Sequence, residues 1–308
     1  MQSALVAALA HPQWWTLALA AFLVRGGVLL ILLPIMSLPS SAAIATAVAP
    51  TVAGLILGEP SIPGLLAGAF MGLIVLAILA AAGLAGSWLD LALVREAAED
   101  EDLDLGWRPH RDSARRAFGI RLLAHLPTLA ALAYATVRLV VAIYEETLSP
   151  GDPALPMAAR VIQRAPDAVV VVVVAWLVGE TLGALAARRA SAGAPVSAAI
   201  GASARQLFRP RGLATLALTN LALASLAVPF VLAIGRAWEH LRAYLLDGVE
   251  AVHLAAALIL LASTWVLGLA VLGLGLAWRA LAWTAEVGPA ASVERSPVVG
   301  PAPEVASS

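Results

Sequence analysis

Two charged residues, Arg25 and Glu180, lie inside long apolar stretches of the sequence, where a charge is costly and usually has a role. At a rise of 1.5 Å per residue, the two residues lie at similar depths from the side of the membrane that we predict to be cytoplasmic. We therefore predict an Arg25–Glu180 contact. It would be either a structural ion pair between helices or a site for a solute or a proton. A third possibility is that the side chains reach the membrane surface.

Three more polar residues lie in or near the ends of apolar stretches. Arg138 lies about two helical turns from the end of its stretch, where Asp167 or Glu145 can pair with it. Asn220, beside Thr219, can donate a hydrogen bond to a neighbouring helix. These residues predict contacts between helices.

The sequence shows no pattern typical of an enzyme, a metal site or a cofactor site. It has no cysteine and no lysine, so thiolate and Schiff-base chemistry are excluded. It contains neither His-Glu-x-x-His nor Gly-x-Ser-x-Gly. His125 and His253 could each ligate a haem or pigment ring, but their expected depths are too different for them to share one. We expect no enzyme activity, no cofactor and no metal.

The composition is that of a membrane protein. Of 308 residues, 61% are hydrophobic and 13% are charged, and the mean hydropathy is +0.90. A soluble domain of this length would need far more polar surface. The net charge of −1 gives no indication of nucleic-acid binding. The sequence therefore predicts an all-α, polytopic transmembrane helix bundle.

Six apolar segments are long enough to cross a bilayer as helices. They are 14–36, 63–87, 122–144, 167–187, 213–235 and 252–278. A seventh segment, 42–57, is shorter and contains Pro50, which is typical of an interfacial or re-entrant segment. We predict six spans, or seven if 42–57 also crosses.

Arginine placement predicts the orientation of the spans. The segment 88–121 holds six arginines and 188–211 holds five, whereas the intervening connections hold two or none. Arginine-rich loops face the cytoplasm. We therefore expect a protein of the bacterial cell membrane with a cytoplasmic C-terminus.

An internal repeat supports three hairpins, each preceded by a short interfacial helix on the cytoplasmic side. Ser113-Ala114-Arg115, Phe118 and Arg121 recur 90 residues later as Ser203-Ala204-Arg205, Phe208 and Arg211, with a fainter copy at the start of the chain. Arginines and aromatic residues in this arrangement can meet lipid phosphates at the membrane boundary. They would anchor the chain, or they would form a lateral gate or a lipid headgroup site.

These patterns divide the chain into six parts. They are a first hairpin unit over 1–87 with an outer insertion at 37–62, a charged cytoplasmic loop over 88–121, a second hairpin over 122–187, a connection over 188–211, a third hairpin over 212–280, and a disordered cytoplasmic tail over 281–308. The loop 88–121 contains an acidic run followed by arginines. It is either a self-neutralising solvated loop or a docking site for a soluble protein.

The start of this loop resembles a known family. Trp88, Asp90, Leu91, Arg95, Asp102 and Leu103 are similar to a stretch of bacterial six-span proteins related to the membrane domain of glycerophosphodiester phosphodiesterases. In that family the stretch usually closes the last span, whereas here it follows the segment 63–87. The resemblance implies a six-span fold with interfacial helices. It implies no activity, because the phosphodiesterase chemistry of that family belongs to a separate soluble domain.

We therefore expect a non-catalytic membrane component that organises or assists a complex. The alternative is a transporter or permease for a small or lipid-like solute, which requires a polar path across the bilayer and usually a broken helix.

Overall fold

A computed structural model describes residues 2–32, 62–100, 113–152, 157–248 and 250–293. Within these ranges the regular structure is entirely helical. The segment 42–57, most of the acidic run, and the arginines at 108 and 111 lie outside the described residues.

The helices follow one another with short breaks. They are α1 (Gln2–Ala10), α2 (Pro12–Phe22), α3 (Val28–Leu32), α4 (Ile62–Glu99), α5 (Ser113–Ala124), α6 (Leu126–Leu148), α7 (Met157–Arg164), α8 (Pro166–Ser191), α9 (Val196–Leu207), α10 (Pro210–Asp247) and α11 (Ala251–Val293). A π-helical turn, Leu23–Gly27, joins α2 to α3.

Five helical stretches are long and apolar enough to cross a membrane, so the chain is a multi-pass membrane protein. They are Gly68–Glu99, Ser113–Glu146, Pro166–Ser191, Pro210–Asp247 and Ala251–Val287. There are six if two shorter helical stretches together form one span. These are Gln2–Ala10 and Pro12–Gly27, which are bent by 99° relative to each other. The exact number of spans and their pairing into hairpins stay predictions.

The first predicted span contains the π-helical turn, and Arg25 lies in it. Gly26 follows with a φ of +105°, a backbone conformation that favours glycine. The Arg25 Nε donates a hydrogen bond to the Ala21 carbonyl oxygen at 2.9 Å. The Arg25 side chain lies over Gly86 of α4, where any Cβ would overlap it. The Arg25 side chain thus donates a hydrogen bond to a backbone carbonyl group where the helix is interrupted.

The described residues form two compact units. The first contains residues up to 7, 94–219 and from 279 onwards. In it, the half of α8 that ends at Ser191 is buried almost completely and packs against both α5 and α9. Ile120 of α5, Ala186 of α8 and Ala199 of α9 form part of this core.

Gly179 and Gly183 of α8 lie in this unit, four residues apart, and both are sites of close helix packing. A Cβ at Gly183 would lie 3.3 Å from atoms of Arg121 and Ala124, and one at Gly179 would lie 2.9 Å from the Ala124 carbonyl oxygen. The small residues therefore let α5 approach α8 closely. Gly68 and Gly72 have the same spacing on α4, but each borders open space.

The second unit contains residues 8–93 and 220–278. In it, α11 packs against α2 and α10 through two glycines whose role was not predicted from the sequence. A Cβ at Gly273 would lie 3.0 Å from the Trp15 carbonyl oxygen, and one at Gly268 would lie 3.2 Å from Phe230. A small apolar cavity lies beside Phe230 and Trp265.

The predicted disordered tail over 281–308 begins too early. The last helix continues to Val293, and residues beyond it lie outside the part of the chain that the structure describes. Leu281, Trp283 and Val287 are buried, so apolar packing extends the helix beyond the predicted end of the span. Similarly, α4 runs on to Glu99, beyond the predicted end of its span at residue 87.

Candidate functional site

The polar groups that the first unit brings together centre on Glu180 of α8. The Glu180 Oε1 lies 3.2 Å from Arg121 Nη1 of α5 and 3.6 Å from Arg279 Nη2 of α11. The Glu180 Oε2 lies 3.8 Å from His125 Nε2. The Glu180 and Arg121 side chains are only 15% and 7% exposed, so water screens this cluster weakly.

Local packing positions each partner of Glu180. Gly183 lies one turn after Glu180, and its missing side chain gives Arg121 room to reach the carboxylate. The Arg279 guanidinium lies over the Trp283 ring, 4.5 Å from its centroid. The His125 Nδ1 lies 2.8 Å from the Arg121 carbonyl oxygen, which orients the ring in the break between α5 and α6. Two guanidinium groups therefore share one carboxylate, an arrangement that holds three helices together.

Glu180 is a predicted site residue, but its contacts with Arg121, His125 and Arg279 were not predicted from the sequence. The predicted partner, Arg25, belongs to the second unit and donates to Ala21, and the Arg25–Glu180 contact stays a prediction. Arg121 was predicted at the lipid boundary. It is instead buried, because the close approach of α5 to α8 directs its guanidinium to Glu180. The sequence carries one indication of this pair. Both residues have apolar neighbours, so an isolated charge would be costly at either position.

A second ion pair joins α6 to α8 near the start of α8. Arg138 Nε lies 3.0 Å from Asp167 Oδ2, and Arg138 Nη2 lies 3.2 Å from Oδ1, so the contact is bidentate. The Tyr134 hydroxyl donates to the same carboxylate at 2.5 Å. Arg138 thus pairs with Asp167, the first of its two predicted partners.

A third carboxylate, that of Glu146 near the end of α6, forms ion pairs with two arginines of α7. Arg160 Nε lies 2.5 Å from Glu146 Oε1, and Arg164 Nε lies 2.7 Å from Oε2. The backbone N–H of Gly151 also donates to Oε1, at 2.9 Å. The sequence analysis did not predict this contact, because the three residues lie in a polar connection where no charge stands out.

A cavity of about 330 Å³ lies where α8, α9, α10 and α11 meet in the first unit. Its charged lining residues are Arg189, Arg205, Arg209, Arg211 and Glu286. Gln206 also lines it and links two sides of the cavity. Its Oε1 accepts from Arg189 Nη2 at 2.5 Å, and its Nε2 donates to the Glu286 carbonyl oxygen at 3.1 Å.

The geometry of this cavity depends on Gly212 and Glu286. Any Cβ at Gly212 would overlap the Gln206 carbonyl oxygen, so only glycine lets the start of α10 lie this close to α9. The Glu286 Oε1 accepts from Arg211 Nε at 3.3 Å and from Thr215 Oγ1 at 3.4 Å. The carboxylate therefore holds the start of α10 against α11.

The remaining predicted site residues differ in exposure. Arg115, Arg205 and Arg211 are exposed, Phe208 is 69% exposed, and Phe118 and Asn220 are half-buried. The exposed arginines and Phe208 have the access that a lipid contact requires. Their role at the membrane boundary stays a prediction.

Comparisons with protein families, with characterised proteins and with solved structures give no match to this chain. The similarity to the membrane domain of glycerophosphodiester phosphodiesterases therefore rests on the sequence motif alone. The function is accordingly argued from the described geometry.

Proposed function

We propose that this chain is a non-catalytic component of the cell membrane that organises or assists a membrane complex. The observation that carries the proposal is the exposure of α4. Every described side chain from Gly68 to Ala81 is exposed, on all sides of the helix. None of the most apolar 18-residue stretch of α4 is buried, against 11% to 33% in the other four candidate spans. A partner membrane helix would cover part of this surface.

Gly68 and Gly72 supply the place where such a helix would pack. Both face open space, and they lie one turn apart. Between lipid-facing helices there is little hydrophobic driving force, so association depends on close van der Waals packing at small residues. The proposed occupant is a transmembrane helix of another membrane protein.

The charged clusters support a component more than a catalyst. Glu180, Asp167 and Glu146 are each held by at least one arginine at an ion-pair distance. Carboxylates engaged in this way link helices, and these contacts define how α5, α6, α7 and α8 pack. A rigid scaffold of this kind suits a protein that positions a partner.

The proposed topology is six spans in three hairpins, with both termini in the bacterial cytoplasm. Its support is an element order that recurs at the start of two of the hairpins, in which a 12-residue helix is followed by a long one that begins at or next to a proline. The pairs are α5 with α6 and α9 with α10, and the prolines are Pro127 and Pro210. In this topology the loop 88–121 is a cytoplasmic docking site for a protein partner.

The alternative is a permease for a small or lipid-like solute. The observation that favours it is the π-helical turn at Arg25, since transporters often bind substrate at interrupted helices. Arg25, Glu180 and Asn220 line neither of the two cavities described above. The component is therefore the preferred proposal.

The test replaces the two glycines of α4 with bulky residues. We expect the native protein to co-purify with a membrane protein in mild detergent, and we expect G68I/G72I to lose that partner while keeping its own fold. The matched control is A130I/A133I, at exposed positions of α6. Native mass spectrometry measures the assembly. Retention of the partner by G68I/G72I, or a wild-type protein that forms only dimers of itself, would contradict the proposal.

A further inference from the structure

The cavity bordered by α8, α9, α10 and α11 has a strongly basic wall. Four arginines line it together with a single carboxylate, that of Glu286, so the net formal charge of the wall is +3. Its volume of about 330 Å³ is at the lower end of the range of small-molecule sites. Like charges held this close together repel one another, and a bound anion would offset that repulsion.

Two of the four arginines are held by polar contacts within the chain. Arg189 donates to Gln206, and Arg211 donates to Glu286. The guanidinium groups of Arg205 and Arg209 make no hydrogen bond or ion pair with any residue in the described ranges. These two groups are therefore available to a ligand, beside two others that are already oriented.

We infer that this cavity binds a phosphate-bearing anion. A guanidinium group offers two parallel N–H donors that match two phosphate oxygens, and several arginines together compensate a charge of −1 or −2. Both a phospholipid headgroup and a soluble phosphate compound carry this chemistry. Basic pockets between transmembrane helices commonly bind anionic headgroups.

The surroundings of the cavity also suit an amphipathic ligand. Phe208 directly precedes Arg209 and is 69% exposed, and Leu213 directly follows Gly212 and is 46% exposed. Apolar side chains next to a cluster of guanidinium groups provide one surface for acyl chains and another for a phosphate. No described residue of α4 lines the cavity, so the inference does not rest on the proposed partner surface.

The experiment titrates the full-length protein in neutral detergent with dihexanoylphosphatidylglycerol, dihexanoylphosphatidylcholine and sodium pyrophosphate. Native mass spectrometry counts the bound molecules, and the ligand-induced rise in Tm gives the affinity. The variant is R205Q/R209Q. The control is R236Q/R242Q, which removes the same charge from exposed positions of α10 that do not line the cavity.

We expect phosphatidylglycerol to bind in preference to phosphatidylcholine. R205Q/R209Q should weaken that binding roughly 30-fold, since each arginine near an anionic lipid contributes about a five-fold factor. R236Q/R242Q should change it less than about two-fold, because neither arginine lines the cavity and so neither adds to the attraction for the headgroup there. Displacement of the lipid by pyrophosphate would identify a general phosphate site, and its failure would identify a headgroup site. Equal binding of both lipids, equal losses in the two variants, or wild-type affinity in R205Q/R209Q would overturn the inference.

Discussion

Glu180 shows how one residue in a membrane protein depends on its partners. Its carboxylate lies in a weakly solvated position, where an isolated charge is costly. Arg121 and Arg279 both lie within ion-pair distance, and Arg279 is also stacked on Trp283. If one member of such a cluster is removed, the opposite charge stays buried without its partner. The free energy of unfolding lost in this way exceeds what the intact ion pair contributes to stability.

A double-mutant cycle tests this cluster. We expect E180Q to lower the free energy of unfolding by about 3–5 kcal/mol, as for other broken buried ion pairs. In R121Q/E180Q the losses should be non-additive by about 1 kcal/mol or more, because the two side chains are in contact. The measurement is denaturant-induced unfolding in detergent.

The same measurement on R25Q/E180Q decides the predicted Arg25–Glu180 contact. D167N is the control for both cycles, since the Arg138–Asp167 pair is partly exposed and its loss should cost less than that of Glu180. Additive effects in R121Q/E180Q would contradict the role of Glu180 as a shared anion. Additive effects in R25Q/E180Q would exclude the predicted contact.

At the scale of the helices, glycine positions decide which surfaces meet. The same four-residue glycine spacing occurs on α4 and on α8, but only α8 uses it within the described chain. Arg121 and Ala124 fill the surface above Gly183, whereas Gly68 and Gly72 border open space. Small residues permit close packing, and the neighbouring helix determines whether it occurs.

Substitution of these glycines should therefore have different consequences. We expect G183L to destabilise the isolated protein by about 1–3 kcal/mol, because the new side chain would collide with Arg121 and Ala124 in a close-packed interface. G72L is the matched control and should leave the Tm of the isolated protein nearly unchanged. Thermal unfolding in detergent compares the two. Equal stability of both variants would mean that α5 does not pack on α8 through Gly183.

At the scale of the whole molecule, the arginine distribution predicts how the chain crosses the membrane. The segment 188–211 should face the cytoplasm, and the connection 145–166 should face outward. Ser197 and Ser149 are both exposed and lie in these two segments. The natural chain contains no cysteine, so a single introduced thiol reports one position without background.

Cysteine labelling in intact cells tests this topology. We expect a membrane-impermeant maleimide to label S149C in intact cells and S197C only after the membrane is opened, because the reagent reaches outer positions alone. The cysteine-free natural protein is the control. Labelling of S197C in intact cells would reverse the orientation, and labelling of both positions would disprove an odd number of crossings between them.

The membrane class of this protein and the approximate positions of its long helices follow from its amino-acid sequence. These depend on the local density of apolar residues, which is high over about 20 residues in each long apolar segment. The sequence also predicted the Arg138–Asp167 pair, because both residues lie close to the ends of neighbouring spans, 29 residues apart. It predicted the end of α11 less well, since burial of Trp283 and Val287 extends that helix.

Which charged side chains come into contact depends on how the helices pack. Arg121 reaches Glu180 across 59 residues of chain, and Arg211 reaches Glu286 across 75. No local pattern specifies such a contact, because it depends on which helices pack together and on where a glycine lets them approach. For the same reason, the exposed arginines at 205 and 209 became candidates for one site only when α8 and the end of α11 were placed beside them.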